Sequence, residues 1–304
     1  MRVTLIHNPD AGDDHQPAGD RLVGLIRSQG HSVVYHSSKD SHWDNVLAEP
    51  GDLVVAAGGD GLVGNIARRL AGSRTPITIL PSGTANNVAK SLGLADKPFQ
   101  ELVAGWTSAR PQKVDLWEAR GPWGSRSLIE GLGMGLFTET MGRLDATNNR
   151  DLEHARSAEE EIVSVLEMLK DRLECYPVKS LKLKLDDRDL SGTYVLLEAM
   201  SIGCVGPNLC LAPDADPGDG LLDLVLVTKD QQDRLERYLS DLIGGTSSSP
   251  DLVVHRGRRL EIEWEGSVLH LDDKVWPDQG SAPPPPATIH VEADSHNLQF
   301  LVPV

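Results

Sequence analysis

The sequence predicts two domains, an α/β domain followed by a mostly-β domain. Apolar runs of strand length alternate with apolar stripes of helical spacing through the first third of the chain. After Pro111, strand-like runs follow one another with turn residues between them, and only two helical stripes interrupt them. Alternating strands and helices are typical of a parallel sheet covered on both faces, whereas successive short strands are typical of a sandwich or barrel.

The elements of the first domain follow from the spacing of its apolar residues. We predict strands over residues 3–6, 33–35, 53–57 and 77–80. Helical stripes of apolar residues lie between and after these strands, at 22–26, 62–70 and 88–92. Gly30 and Gly93 stand where two of these helices should end, as glycine commonly does at helix C-termini. We place this domain at residues 1–112.

The second domain, placed at residues 113–296, reads as a β sandwich. Its predicted strands are 127–130, 181–185, 193–200, 222–227, 260–264, 268–271 and 288–291. Two predicted helices, with apolar stripes over 162–173 and 235–242, interrupt the strands.

Composition bounds the function of the 304-residue chain. The formal net charge of −16 opposes nucleic acid and anionic lipid at long range, so we expect no nucleic-acid partner. No apolar run reaches the length of a transmembrane helix, and residues 1–6 resemble a strand more than the apolar part of a signal peptide. We therefore expect a soluble cytoplasmic protein. The odd number of cysteines argues against a disulfide framework and favours small buried thiols.

Two glycine-bearing turns are the strongest functional signal in the sequence. Each follows a predicted strand and precedes a helical stripe; the turns are Gly58-Gly59-Asp60-Gly61 and Pro81-Ser82-Gly83-Thr84-Ala85-Asn86-Asn87. A strand, a glycine turn and a helix N-terminus together form an anion site, because glycine lets backbone N–H groups approach the anion. Two such turns on neighbouring strands could hold a polyphosphate, with Thr84 offering a hydroxyl. We therefore predict a nucleotide site.

Asp60 lies where the carboxyl end of a strand meets a helix, which is the edge where parallel α/β sheets bind ligands. A carboxylate beside phosphates is repelled unless a cation intervenes, so Asp60 could bind or orient Mg²⁺. The alternative is a helix N-cap, a position that aspartate fills well.

The motifs resemble those of the diacylglycerol kinase catalytic-domain family, which includes bacterial diacylglycerol kinases and sphingosine kinases. The resemblance rests on the order and spacing of residues 8–12, the turn 58–61 and the segment 80–90, and it extends over essentially the whole chain. It implies an N-terminal nucleotide-binding domain like that of NAD kinases and phosphofructokinases, completed by residues 297–304, and a C-terminal β sandwich. It also implies ATP as phosphoryl donor, contacted by Asn8, Ser37, Gly58, Gly59, Asp60, Gly61, Gly83 and Thr84.

The segment Ala212–Asp223 is similar to a segment of the family that holds a structural Mg²⁺. Transferred by position, the ligands are the carboxylate of Asp219 and the backbone carbonyls of Asp216 and Leu221. Oxygen ligands in loops suit such hard cations, Mg²⁺ or Ca²⁺. The residues alone would equally fit a plain Asp-Gly turn before a strand.

The chain departs from the family at two places near the expected chemistry. Where the family carries Asp-Gly-Glu, with the Glu taken as the base, this chain has Asp272, Asp273 and Lys274. A lysine cannot serve as that carboxylate, so Asp272 or Asp273 becomes the candidate base; a solvated hairpin turn is the alternative for these residues. Leu62 replaces the threonine that usually follows the first glycine turn. We assign no role to His7 or His270.

The resemblance implies an ATP- and Mg²⁺-dependent lipid kinase that phosphorylates a lipid alcohol such as diacylglycerol, with a role in lipid metabolism and phospholipid biosynthesis. Such a protein would make transient, peripheral contact with a membrane. Two alternatives stay open: a non-catalytic nucleotide-binding homologue, suggested by Leu62 and Lys274, and a kinase of a soluble acceptor, as in NAD kinases. A homodimer also stays open as the assembly state.

Overall fold

The computed structural model describes residues 1–12, 16–147, 152, 155, 157–246, 248–278, 280–281 and 284–303. The chain divides into two compact units, Met1–Leu116 with Ser295–Val304, and Trp117–Asp294. The predicted boundaries, 1–112 with 297–304 and 113–296, lie a few residues from these. Val304, the last residue of the predicted return, lies outside the described residues.

The first unit is built on parallel strands. Its elements are β1 (Arg2–His7), α1 (Gly19–Ser28), β2 (Ser32–Ser37), a 3-10 helix (Trp43–Ala48), β3 (Leu53–Gly58), α2 (Asp60–Arg69), β4 (Ile77–Pro81), α3 (Asn87–Ser91) and α4 (Phe99–Gly105). The strand order is β4-β3-β1-β2, with every neighbouring pair parallel. Every residue of β3 is buried, which explains its continuous apolar sequence.

The C-terminal residues complete this sheet. Phe300 pairs in parallel with Ile77 of β4, and the Thr78 hydroxyl donates a hydrogen bond to the Leu301 carbonyl at 2.9 Å. The ammonium of Lys97 donates to the carbonyl of Pro303. These contacts place the return of the chain on β4.

In its described residues, the second unit contains two sheets and three α-helices. Its elements begin with β5 (Arg110–Gly121), which enters from the first unit, and continue with β6 (Gly124–Leu128), β7 (Gly131–Gly135), α5 (Leu136–Ala146), α6 (Ala158–Glu174), β8 (Lys179–Leu185), β9 (Arg188–Asp189), β10 (Gly192–Tyr194), β11 (Leu196–Met200), β12 (Leu222–Val227), a 3-10 helix (Lys229–Gln231), α7 (Gln232–Ile243), β13 (Val254–Gly257), β14 (Arg259–Trp264), β15 (Leu269–Leu271), β16 (Lys274–Trp276) and β17 (Ala287–Val302), which leads back to the first unit.

The strands of this unit form a sandwich. One face contains β10, β8, β14 and β17 in that order, with β5 and β6 beyond β17. The other is a six-stranded sheet in the order β13-β12-β11-β7-β15-β16. One apolar cluster joins residues of both sheets, including Trp117, Leu183 and Leu224. A second cluster packs α5, α6 and α7 against the six-stranded sheet. The unit is therefore a mostly-β sandwich with one helical layer.

Two local predictions need correction. The predicted strand 193–200 is interrupted at Val195, because β10 pairs with β8 in one sheet whereas β11 pairs with β7 and β12 in the other. The expectation of free thiols is wrong for Cys204 and Cys210, which form a disulfide, while Cys175 is free and exposed. Among the helices that the structure describes, none is long and apolar enough to cross a membrane.

Candidate functional site

The first glycine turn connects β3 to α2. β3 ends at Gly58 and α2 begins at Asp60, so the N-terminus of α2 lies at this turn. A Cβ on Gly58 would lie 2.7 Å from Leu62 Cδ2, so a side chain would clash there. Leu62 itself is buried under the turn. Glycine is therefore required at Gly58 by packing as well as by any ligand.

The second turn is closed by its own asparagine. Asn86 adopts a left-handed conformation at φ 55°. Its Oδ1 accepts the Gly83 N–H at 2.9 Å, and its Nδ2 donates to the Gly83 carbonyl at 2.6 Å. A Cβ on Gly83 would overlap the backbone of Gly59, so the two glycine turns touch. Ser82 Oγ, in the same turn, is buried and has no hydrogen-bond partner among the described residues.

Asp60 ties the first turn to the helix that follows the second. Its two carboxylate oxygens accept the N–H groups of Asn87 and Val88, each at 2.9 Å. Asp60 is therefore a cap, as one of the two readings of the sequence held, but it caps α3 and not its own helix. A carboxylate is also an oxygen ligand of the kind that Mg²⁺ prefers, so the residue type is compatible with the second interpretation of the sequence.

A third loop meets the two turns. Asn8 follows β1 directly; its N–H donates to the Ala57 carbonyl at 2.9 Å, and its Oδ1 accepts the Asp10 N–H. Gly12, at φ 72°, lies so close to the Ser82 carbonyl that a Cβ would overlap it. The loops after β1, β3 and β4 therefore converge at the carboxyl edge of the sheet, where open α/β sheets bind ligands.

Ser37 is placed at the same edge but is engaged locally. It ends β2 and lies opposite His7 in register. Its Oγ accepts the Lys39 N–H at 3.2 Å, and Lys39 forms a 2.8 Å ion pair with Asp10 of the third loop. Thr84 is half-buried in the second turn. All the residues predicted to contact the nucleotide thus lie at the ends of strands, in the turns that follow them or at the start of α2, at one edge of this sheet.

The second unit holds the other candidate residues in the β15–β16 hairpin. Asp272 lies in the turn at φ 52° and is 6% exposed. Its carboxylate accepts the N–H groups of Ile129, Glu130 and Gly131 at 2.9–3.3 Å. Asp272 is therefore a buried clasp between this turn and the start of β7.

Asp273 and Lys274 are exposed beside Asp272. The pKa of Asp145, on α5, is raised by partial burial and by the negative charge of Asp273. The carboxylates of Asp145 and Asp273 are therefore near enough to interact electrostatically. Of the two aspartates in the hairpin turn, Asp273 is the one with an exposed side chain.

The side chain among the predicted metal ligands, Asp219, is held by an arginine. Asp219 Oδ1 accepts the Leu221 N–H at 2.9 Å, and Asp219 Oδ2 pairs with Arg256 Nη2. The Arg256 Nε also donates to Asp223 Oδ1 at 3.1 Å. Both carboxylate oxygens of Asp219 therefore face hydrogen-bond donors, one of them a cation, and this donor set does not fit a divalent metal. No cluster of three or more His, Cys, Asp or Glu side chains suited to a metal occurs in the described part of the chain.

Sequence reasoning missed three groups in this unit: Glu198, His270 and Arg256. Glu198 lies within an apolar strand, where a lone acidic residue is a signal of a buried pair. No local pattern assigns a role to His270 or Arg256, because their partners lie far away along the chain.

Comparison with known proteins gives consistent matches. The family model of the diacylglycerol kinase catalytic domain matches residues 2–119, and that of the YegS C-terminal NAD kinase beta sandwich-like domain matches residues 141–293. A diacylglycerol kinase from Mycobacterium tuberculosis is 26% identical over 308 residues, which cover 97% of this chain and 96% of that protein. A protein from Pseudomonas aeruginosa named as a probable lipid kinase, YegS-like, is 27% identical over 311 residues, covering 98% and 96%. A crystal structure of a diacylglycerol kinase from Bacillus anthracis shares the fold, with a TM-score of 0.67 at 18% identity and coverage of 99% and 96%.

Proposed function

Because the chain belongs to the diacylglycerol kinase catalytic-domain family, we propose that it transfers the γ-phosphoryl group of ATP to the hydroxyl of a lipid such as diacylglycerol. The observation that carries the proposal is the convergence of three loops at the carboxyl edge of β1, β3 and β4, with two glycine turns in contact. The relatives from M. tuberculosis and P. aeruginosa are named as lipid kinases, which supports a lipid acceptor.

The first unit supplies the nucleotide contacts in this proposal. The amides at the start of α2 donate to phosphate oxygens, and Gly58, Gly59 and Gly83 leave room for the backbone to approach them. Asn8, Ser37, Gly61 and Thr84 complete the set at the same edge. Mg²⁺ bound with ATP supplies positive charge that neutralises the phosphate oxygens. In this proposal the Asp60 carboxylate, which caps α3, also orients that cation.

The second unit supplies the proton acceptor. The carboxylate of Asp272 accepts hydrogen bonds from backbone N–H groups, so we assign Asp272 a structural role in stabilising the turn. The exposed carboxylate of Asp273 accepts the proton of the acceptor hydroxyl. The hydroxyl oxygen then forms a bond to the γ-phosphorus, the bond from that phosphorus to the bridging oxygen breaks, and ADP leaves.

A non-catalytic nucleotide-binding protein is the second candidate function. The burial of Leu62 where the family offers a hydroxyl, and Lys274 where it offers a carboxylate, both favour it. Such a protein would bind ATP without transferring phosphate to any acceptor.

The deciding experiment is calorimetric binding of ATP with Mg²⁺, followed by a phosphate-transfer assay on the same protein with a panel of lipid alcohols in mixed micelles. We expect binding together with transfer to at least one lipid. Binding without transfer to any lipid would favour the second candidate. The absence of binding would overturn both.

A further inference from the structure

We propose that Glu198 and His270 form a buried pair that positions the turn carrying Asp272 and Asp273, and this inference rests on the proposed function. Glu198 on β11 is 0% exposed and His270 on β15 is 1% exposed. Glu198 Oε2 lies 2.8 Å from His270 Nε2. Removing a carboxylate and an imidazole from water costs free energy unless the two groups are hydrogen-bonded to each other.

The pair spans an intervening strand. β7 lies between β11 and β15, and Gly133 of β7 is opposite both Glu198 and His270 in register. A Cβ on Gly133 would overlap the Glu198 carboxylate. The glutamate therefore reaches the histidine only because the residue between them has no side chain.

The contact of the other ring nitrogen of His270, Nδ1, shows where the protons of the pair lie. His270 Nδ1 lies 2.9 Å from the backbone carbonyl of Asp272. A carbonyl only accepts, so Nδ1 carries a proton, and the contact between Nε2 and Glu198 holds one further proton. Burial alone would lower the pKa of His270, but the Glu198 carboxylate and the Asp272 carbonyl outweigh it and raise that pKa.

His270 thus binds the backbone carbonyl of Asp272, while the side-chain carboxylate of Asp272 binds the amides at the start of β7. The Asp272 N–H also donates to the Gly131 carbonyl at 2.8 Å. Three contacts thus hold Asp272 in a left-handed conformation that a non-glycine residue seldom adopts. Asp273 is presented next to this fixed residue. Glu198 and His270 are positioning residues, since neither side chain is exposed to a substrate.

The test compares Gly133→Ala and His270→Asn, which break the contact, with Glu198→Gln, whose amide can still donate to the neutral ring. Val225→Ala, buried in β12 of the same sheet, controls for loss of packing. The readouts are hydrogen exchange of the amides at 271–274, and kcat and KM for ATP.

We expect amide exchange in the turn to accelerate about tenfold or more in Gly133→Ala and His270→Asn, to change little in Glu198→Gln, and to be unaffected in Val225→Ala. In the active enzyme kcat should fall about tenfold in the first two variants with the KM for ATP within about twofold, since the turn serves the acceptor. Unchanged exchange in those variants, equal acceleration in Val225→Ala, or an unchanged kcat despite a loosened turn would each overturn the inference. An inactive wild-type protein would overturn the proposed function alone, because hydrogen exchange still decides the pair.

An independent observation concerns the loop before β12, where we infer that Arg256 takes the place that the family resemblance gives to a structural cation. Arg256 on β13 lies opposite Asp223 of β12 in register, and its guanidinium contacts both Asp223 and Asp219. These carboxylates raise the pKa of Arg256, so it stays charged. Asp223 is 3% exposed, and its Oδ2 has no partner among the described residues.

The charges explain why both cations cannot be present. A divalent ion on Asp219 would lie against the guanidinium that already pairs with the same carboxylate, and like charges at that separation repel strongly in a partly buried site. Arg256 also contacts the buried carboxylate of Asp223, so its single positive charge faces both acidic side chains of this loop.

The test is thermal unfolding without nucleotide, in Mg²⁺ and in a chelator, for the wild type, Arg256→Gln and the exposed neighbour Arg258→Gln. We expect the wild type and Arg258→Gln to have the same Tm in both conditions. Arg256→Gln should lose several degrees in the chelator and recover part of them with Mg²⁺, which then occupies the vacated position. A wild-type Tm that rises with Mg²⁺, an Arg256→Gln protein as stable as the wild type in the chelator, or no recovery of that variant with Mg²⁺ would overturn the inference.

Discussion

Asp60 joins the two glycine turns because its carboxylate accepts the first two N–H groups of α3. A helix of five residues has few hydrogen bonds of its own, so an acceptor at its start has a large effect on whether it forms. The residue therefore acts on the shape of the proposed nucleotide site even before a ligand binds, in addition to its proposed role toward Mg²⁺.

Asp60→Asn should separate these contributions in part. The amide keeps one accepting oxygen and loses the other, so we expect a loss of about 1 kcal/mol in the free energy of unfolding and about tenfold weaker binding of ATP with Mg²⁺. Denaturant unfolding and calorimetry measure the two effects. Asp20→Asn, an exposed carboxylate in the first turn of α1, is the matched control. Wild-type affinity in Asp60→Asn would contradict the role of this residue at the site.

Also at the residue scale, variants of Asp273 and Lys274 test which carboxylate accepts the proton in the proposed transfer. A positioned general base contributes about a hundredfold or more to the rate, so Asp273→Asn should lower kcat by about that factor with an unchanged KM for ATP. Adding Lys274→Glu to this variant should restore part of the rate by returning the family's carboxylate to the turn. Steady-state kinetics with the best lipid acceptor measure both. If Asp273→Asn keeps its full rate, the base is another group.

At the scale of elements, the turn of the β15–β16 hairpin is held by contacts from other strands of the sheet, β7 and β11. β7 supplies Gly133, which lets Glu198 reach His270, and the segment at the start of β7 binds the Asp272 carboxylate. The hairpin turn is thus anchored to the six-stranded sheet through buried Asp272, and these contacts stabilise the conformation of its exposed neighbours Asp273 and Lys274.

The buried pair predicts how stability depends on pH. The pKa of His270 is raised on folding, so the stability it contributes is fully present below its ordinary value of about 6.5 and is lost as the pH rises through the raised value. Among the described residues, the charged groups that face the ring are Glu198 and Asp272; the aromatic neighbour on α5, Phe137, is apolar.

Glu198→Gln should therefore lose most stability relative to the wild type near about pH 6, and the difference should shrink as the pH is raised. Denaturant unfolding across that range measures it. Glu261→Gln removes an exposed carboxylate 3.7 Å from His290 and should give only a small difference across the range. A difference for Glu198→Gln that grows with pH would contradict the assignment.

At the scale of the whole molecule, the net charge of −16 governs how the protein meets its proposed lipid substrate. We expect repulsion from anionic bilayers at low salt and weak, transient contact with neutral ones. Because added salt shortens the range of repulsion, binding to anionic vesicles should rise with salt toward that of neutral vesicles. Co-sedimentation with the two kinds of vesicle measures this. Binding that increases steeply with anionic lipid at low salt would contradict it.

The fold could be predicted where the signal is local. The four strands of the first unit and its helices α1, α2 and α3 follow from apolar periodicity, whereas α4 and the 3-10 helix are not among the predicted elements. Periodicity failed at Val195, because an apolar run looks the same whether the chain stays in one sheet or crosses to the next. It also missed α5, whose apolar residues follow β7 without a turn signal between them.

The sequence by itself determined the two-domain organisation, the family and the loops that carry the candidate nucleotide site. These depend on short-range features, such as strand and helix spacing and the need for glycine where backbones approach closely. The tertiary structure alone decided which polar groups meet: Asp60 with the amides of α3, Glu198 with His270, and Arg256 with Asp219. The members of these pairs lie 27 to 72 residues apart, and partners at that separation are chosen by sheet order and register, which no local pattern encodes.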